Sequence, residues 1–177
     1  FGLPHLYPYQ RLLIDEIVRA IRGEAARHGL VILPTGAGKS LIYMLPTLCT
    51  EALSLIIYPL NALINDQKRR FDEAGIAAAA LTGGISPGTR RSILDAAAAG
   101  KTRALLINPE TLLLPEVARR LREMELGHVV FDEAHTLIEW GESFRPAYLE
   151  AVELMHTLPY RRLSGFTATA TPELLTR

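Results

Sequence analysis

Cysteine is almost missing from this chain of 177 residues. Cys49 stands alone, which excludes an internal disulfide and any zinc site built from thiolates, and fits a reducing cytoplasm. Lysine is scarce as well, with Lys39, Lys68 and Lys101 set against 16 arginines. Neither sign of charge is in excess, since 19 basic and 19 acidic side chains cancel. That excludes a global positive field, so any contact with a polyanion must come from local placement. No apolar run is long enough to cross a membrane. The stretch 41–60 is broken by Pro46, Glu51 and Pro59, and no signal peptide opens the chain. A membrane partner is therefore not expected, and the cytoplasm is the expected location. His5, His28, His128 and His156 lack ligand spacing and predict no metal site. What the chain does have is apolar residues, at 49%, enough for a large core. The length fits one domain.

Helix and strand patterns alternate throughout. Leu13, Ile17, Ile21 and Ala25 stand four apart and predict an amphipathic helix over 10–27. Strands are expected at 30–33, 54–58, 76–81, 104–107, 129–131 and 163–166. Asn61 is placed to cap the helix that follows the second strand. Ser86-Pro87 opens another, which Gly100 closes, and Pro115 starts a third. Short strands separated by helices predict an α/β fold with a mostly parallel sheet and helices on both faces. The arginine pairs at 69–70, 90–91, 119–120 and 161–162 read as solvated surface. Cys49, among apolar neighbours, reads as inert.

The run Leu33-Pro34-Thr35-Gly36-Ala37-Gly38-Lys39-Ser40 reads as strand, phosphate-binding loop and helix. Its glycines let backbone N–H groups close on phosphate oxygens. Lys39 is placed for β/γ-phosphates and Ser40 for Mg²⁺, at a helix start that favours anions. A strict loop has glycine where Leu33 stands. Past the apolar 129–131 stretch comes Asp132-Glu133, one carboxylate to hold the metal with Ser40 and one to orient water. The two blocks together predict a P-loop domain that hydrolyses nucleotide. His135, taken alone, reads better as a packed core histidine. Trp140 and Phe144, four apart, fit one helix face or, with the Arg145 cation beside the Phe144 ring, unpaired bases.

With their neighbours, these blocks resemble the first RecA-like domain of superfamily-two helicases, and most closely the RecQ family of DNA helicases, over nearly the whole chain. The segment from Phe1-Gly2 to Pro8-Tyr9-Gln10 is similar to the family's adenine-recognition segment, and the resemblance implies that Gln10 reads the adenine edge. An aromatic and an arginine usual there are Leu3 and Tyr7 in this chain, which leaves two expectations open: base stacking by Tyr7, or loose base selectivity. Tyr58-Pro59-Leu60-Asn61, running on to Gln67, resembles the block that touches the DNA backbone, implying contacts from Pro59, Asn61 and Gln67. Asn108-Pro109-Glu110-Thr111-Leu112 resembles a further family block. The stretch 138–146, with Trp140, Phe144 and Arg145, is similar to the aromatic-rich loop of RecQ enzymes, though Glu139 and Glu142 replace a glutamine and a histidine. Phe166-Thr167-Ala168-Thr169-Ala170 resembles the coupling motif, so Thr167, Thr169 and His135 are expected to relay nucleotide state to DNA.

The resemblance implies one RecA-like ATP-binding domain over 1–177, with 1–29 as adenine segment and leading helix. It implies ATP and Mg²⁺ as ligands and single-stranded or partly duplex DNA as partner, beside the nucleoid if the source is bacterial. A second RecA-like domain, with its arginine finger worth roughly 10³–10⁵ in turnover, is expected beyond Arg177. The chain alone is expected to bind nucleotide weakly and hydrolyse it slowly. Three other readings stay open at this point, one of them a P-loop kinase or small-molecule NTPase, which would not need Trp140 or Phe144 exposed. Thr82-Gly83-Gly84 is similar to RNA-directed DEAD/DEAH-type ATPases. The extra carboxylates suit a nucleotide-gated nucleic-acid-binding module that does not unwind.

Overall fold

The computed structural model describes residues 5–136 and 146–169. Helix α1 (Pro8–Ile21) starts with proline at its first position and buries Ile17 and Ile21. It is shorter than the periodicity predicts. Gly23 takes φ 81 and turns the chain, so Ala25 lies beyond the helix. There follow β1 (His28–Ile32), α2 (Lys39–Met44), α3 (Pro46–Cys49), β2 (Leu53–Ile57), α4 (Asn61–Glu73) and β3 (Ala78–Leu81). The second half runs α5 (Pro87–Ala98), β4 (Ala104–Ile107), α6 (Pro109–Leu112), α7 (Pro115–Arg122), β5 (Leu126–Asp132), α8 (Pro146–Met155) and β6 (Tyr160–Thr167). The short α3 and α6, and all of α8, were not expected from the sequence.

All pairings are parallel, in the order β1-β6-β5-β2-β4-β3. The chain lays down β1, leaves two strand widths, and begins β2 on the other side. That change of direction opens a crevice outside the carboxyl ends of the strands. Alternate residues of one strand feed two cores. Leu55 and Ile57 pack with Leu94, Val117, Leu121 and Tyr148 on one face. Ile56 packs with Ile17, Tyr43, Ile64 and Phe71 on the other. Every residue of β2 and β5 is buried, as expected for strands covered on both faces.

Three local expectations are corrected. Asn61 is the first helical residue rather than the cap, because Leu60 already holds the extended backbone before the helix. Its side chain instead accepts from Asn108 Nδ2 at 2.7 Å, while Asn108 Oδ1 accepts the Thr111 N–H at 2.8 Å. Arg162 is not surface: it is 2% exposed, with Nη2 on Glu16 at 3.0 Å and Nε on Ser164 Oγ at 3.0 Å. Cys49 is exposed, since it ends α3 on the side away from the core. Of two other pairs only Arg91 and Arg119 sit outside; Arg90 and Arg120 are largely covered where they bind α5 to α7 through Arg90–Glu116 at 2.5 Å and Arg120–Asp95 at 2.6 Å.

Candidate nucleotide-binding site

The loop leaves β1 at the rim of the sheet and is fastened at once. The Leu33 N–H donates to Thr167 O at 3.0 Å, and the Ala37 N–H closes a turn on Pro34 O at 3.2 Å. Gly36 and Gly38 have φ 84 and 77, the left-handed region where only glycine is unstrained. Leu33 does not lie there, so the glycine of the strict pattern is not needed, and its side chain packs on the Ile56 core. Pro34, Thr35 and Gly36 face solvent. Lys39 Nζ donates to Leu33 O at 3.2 Å, folding its charge over the loop. A Cβ at Gly38 would stand 2.6 Å from Gln10 Nε2 and would push that amide away from the loop.

Two strand widths away, Asp132 ends β5 only 8% exposed. Burial, followed by the adjoining Glu133 carboxylate, pushes its pKa up to about 6, against the pull of the Glu133 N–H, the Tyr43 hydroxyl and Lys39. Tyr43 Oη donates to Asp132 Oδ2 at 3.2 Å, and Tyr58 Oη donates to Tyr43 Oη at 3.3 Å. Ser40 is near enough to draw the Tyr43 pKa down against burial, so Ser40 and Asp132 share one neighbour. Burial raises both tyrosine pKa values, keeping these groups protonated donors. The available donors are hard oxygens, which fit Mg²⁺, an ion that takes one or two carboxylates and completes its shell with phosphates and water.

Glu133 has φ 51, the one positive value at a non-glycine among the described residues. Such backbone costs on the order of 1 kcal/mol and marks functional turns. Four bonds hold it: Glu133 N–H to Asp132 Oδ1 at 3.1 Å, Ala134 N–H to Phe166 O at 2.8 Å, and both the N–H (2.9 Å) and Oγ1 (2.8 Å) of Thr136 to Glu133 O. His135 is no mere core residue. Its Nδ1 lies 3.4 Å from Glu133 Oε2 and 3.0 Å from Thr167 Oγ1. Thr167 Oγ1 donates to Thr169 O at 2.8 Å and accepts the Thr169 N–H at 3.2 Å. Because the hydroxyl proton is used on Thr169, His135 Nδ1 is the donor to Thr167. A continuous path thus runs Glu133, His135, Thr167, Thr169.

On the other side of the loop lies a cleft of about 550 Å³. Tyr7, 57% exposed, stacks on Tyr9 with centroids 5.7 Å apart and planes 5° apart. Tyr9 Oη donates to Ala37 O at 2.9 Å. Gln10 is buried and uses both ends of its amide, accepting the Tyr7 N–H at 3.0 Å and donating to Ala37 O at 3.2 Å. Its place at the loop agrees with the sequence, but half of its bonding capacity is already taken.

The expected DNA-backbone block is split. Asn61 is exposed at the carboxyl edge, beside Asn108. Pro59 is buried and shapes the turn. Gln67 is corrected: it is 8% exposed, because it shares the inner face of α4 with Ile64 and Phe71, three and four residues away. Trp140, Phe144 and Arg145 lie outside the described residues, as do Glu139 and Glu142. Sequence reasoning missed Tyr43, Tyr58, Tyr9, and Arg70 and Glu73 of the cleft. A tyrosine four residues past the loop lysine, and another closing an apolar strand, were the available signals.

Known proteins place the fold and the family. Relatives named ATP-dependent DNA helicase RecQ include one from Synechocystis, 40% identical over 82% of this chain and 32% of its own length. Another, from Bacillus subtilis, is 35% identical over 97% of this chain and 29% of its own. The chain thus spans about a third of the curated relatives it matches. Among solved structures, the Pyrococcus furiosus Hef helicase domain superposes with TM-score 0.70 at 26% identity, covering 98% of this chain and 35% of that one. A hypothetical ATP-dependent RNA helicase from Sulfolobus tokodaii shares the fold, with TM-score 0.74 at 19% identity over 99% of this chain and 50% of its own. Residues 7–176 match the DEAD/DEAH box helicase family, and the chain belongs to it.

Proposed function

We propose that the chain is the ATP-binding motor half of an ATP-dependent DNA helicase of RecQ type. It works with a second RecA-like domain on single-stranded or partly duplex DNA, in the cytoplasm. One observation carries the reading. The loop after β1 and the Asp132-Glu133 turn after β5 flank β6, whose last residue, Thr167, bonds to both the loop and His135.

Lys39 exchanges the Leu33 carbonyl for β/γ-phosphate oxygens, a stronger, charge-assisted partner. Ser40 Oγ and the Asp132 carboxylate would hold Mg²⁺, which when bound neutralises charge on the phosphate oxygens. Glu133 orients the attacking water and passes its position to His135, and from there to Thr167 and Thr169. Gln10 keeps one N–H and one lone pair for adenine, and Tyr7 offers the exposed ring. Asn61 contacts the nucleic-acid backbone at the carboxyl edge, with Trp140, Phe144 and Arg145 stacking on unpaired bases.

The test uses the full-length protein. Lys39→Ala is expected to weaken Mg·ATP binding at least about tenfold by calorimetry, from loss of charge-assisted bonds. Glu133→Gln is expected to retain binding while turnover falls by about 10²–10⁴. Single-stranded DNA should stimulate turnover more than RNA, and a tailed DNA duplex should be unwound. Stronger stimulation by RNA would move the protein to the RNA-directed class. Full biological function in Glu133→Gln would make it a gated binding module.

A further inference from the structure

The arginine pair at 69–70 reads as surface in the sequence, yet Arg70 and Glu73 line the cleft that also holds Tyr7 and Gln10. They stand three apart on the last turn of α4, and so present side chains on one face. No hydrogen bond or ion pair among the described residues occupies the Arg70 guanidinium. Its charge is felt by the Tyr58 hydroxyl. Among the described residues the Glu73 carboxylate meets Arg69 alone, at 4.0 Å with both side chains more than two-thirds exposed, a loose and screened pair. Leu41 and Met44 add an apolar floor between this wall and the loop. Gln10, meanwhile, has spent half its amide on Tyr7 and Ala37.

We propose that Arg70 and Glu73 select the base of the bound nucleotide: the Arg70 guanidinium lies on the π face of the ring, and the Glu73 carboxylate accepts from an exocyclic amino group. This deepens the nucleotide reading above and rests on it. A planar, weakly hydrated guanidinium stacks on aromatic rings. A carboxylate only accepts, so it welcomes an amino edge and is left unpaired or repelled by a ring that presents acceptors there. The ligand class is accordingly an amino-bearing purine triphosphate, discriminated by α4 rather than by the α1 segment alone.

The experiment measures binding of Mg·ATP, Mg·purine riboside triphosphate (which lacks the amino group) and Mg·tripolyphosphate to the full-length protein by calorimetry, alongside KM and kcat. Both side chains are exposed, so variants are expected to fold, which circular dichroism checks. The wild type should prefer ATP over purine riboside triphosphate about tenfold or more, the worth of one hydrogen bond to a charged group. Glu73→Ala should reduce that preference at least severalfold, leaving only the share that Gln10 supplies. Arg70→Ala should weaken both nucleotides about fivefold, the scale of a cation–π contact, leave tripolyphosphate unaffected, and show its effect in KM. A preference undiminished in Glu73→Ala, or unchanged nucleotide affinity in Arg70→Ala, overturns the proposal. Tripolyphosphate binding that survives Lys39→Ala overturns the loop reading beneath it, and the two failures are thereby told apart.

Discussion

His128 is fully buried in the middle of β5, with Nε2 2.9 Å from Ser164 Oγ and Arg162 close by. Burial first, then the Arg162 charge, pull its pKa from 6.5 down to about 3. The sign follows from linkage. Between those two values the unfolded chain binds a proton that the folded chain does not, so stability falls as pH falls below about 6.5. The slope from this one group is about 1.4 kcal/mol per pH unit until the folded imidazole itself titrates. Urea unfolding midpoints from pH 7.5 to 4.5 for wild type and His128→Gln should therefore diverge, the wild type losing more. Parallel curves would mean that the imidazole is not held neutral. At this scale the sequence was legible where chemistry is encoded by spacing, as in Lys39-Ser40 and Asp132-Glu133. It was not legible for Tyr43 and Tyr58, whose hydroxyls matter only because β2, α2 and β5 bring them to one carboxylate.

At the scale of elements, α1 is locked to the foot of the sheet by Arg162. That residue reaches Glu16, 146 positions away in sequence, and the backbone carbonyls of Ala26 and His28. Its burial was invisible in the sequence because twin arginines beside a strand look like surface, and the partner that neutralises one of them is remote. Gly29 makes room for it: a Cβ there would meet Arg162 Nη2 at 2.0 Å and Cζ at 2.9 Å. The guanidinium is the end of a long side chain, but it is tethered on several sides and cannot swing away freely. Gly29→Ala should cost about 2–4 kcal/mol, the range for disrupting a buried charged network. In an Arg162→Met background the same change should cost much less, and denaturant titration of the four proteins measures that coupling. Additive losses would show that the two sites do not meet. The elements themselves were easier to foresee than their ends. Proline at the first helical position of α5 and α7, and Gly100 past α5, are local signals. The end of α1 depended on a turn at Gly23, where periodicity is silent.

Across the whole molecule, the sheet divides its labour by strand order. Strands β1, β6 and β5 carry the loop, the coupling threonine and the acid pair at their tips. Strands β2 and β4 carry Asn61 and Asn108 just beyond theirs. The order could not be read from the sequence, since helix–strand alternation is equally consistent with several parallel arrangements. It also predicts a gradient of local stability. Strand β5 is buried along its entire length between β2 and β6, whereas β1 and β3 stand at the rims among the described residues. Amide exchange by mass spectrometry should be slowest in β5 and β2 and fastest in β3 and β1. Comparable rates in β1 and β5 would contradict this. Thr167 sits where these strands converge, with its carbonyl gripping the start of the loop and its hydroxyl gripping His135. One residue is therefore the common peg for the phosphate cradle and the imidazole. A rim strand clasped along a single edge can tilt about that peg without tearing the sheet, so any tug on the stretch past Thr169 is felt by both at once.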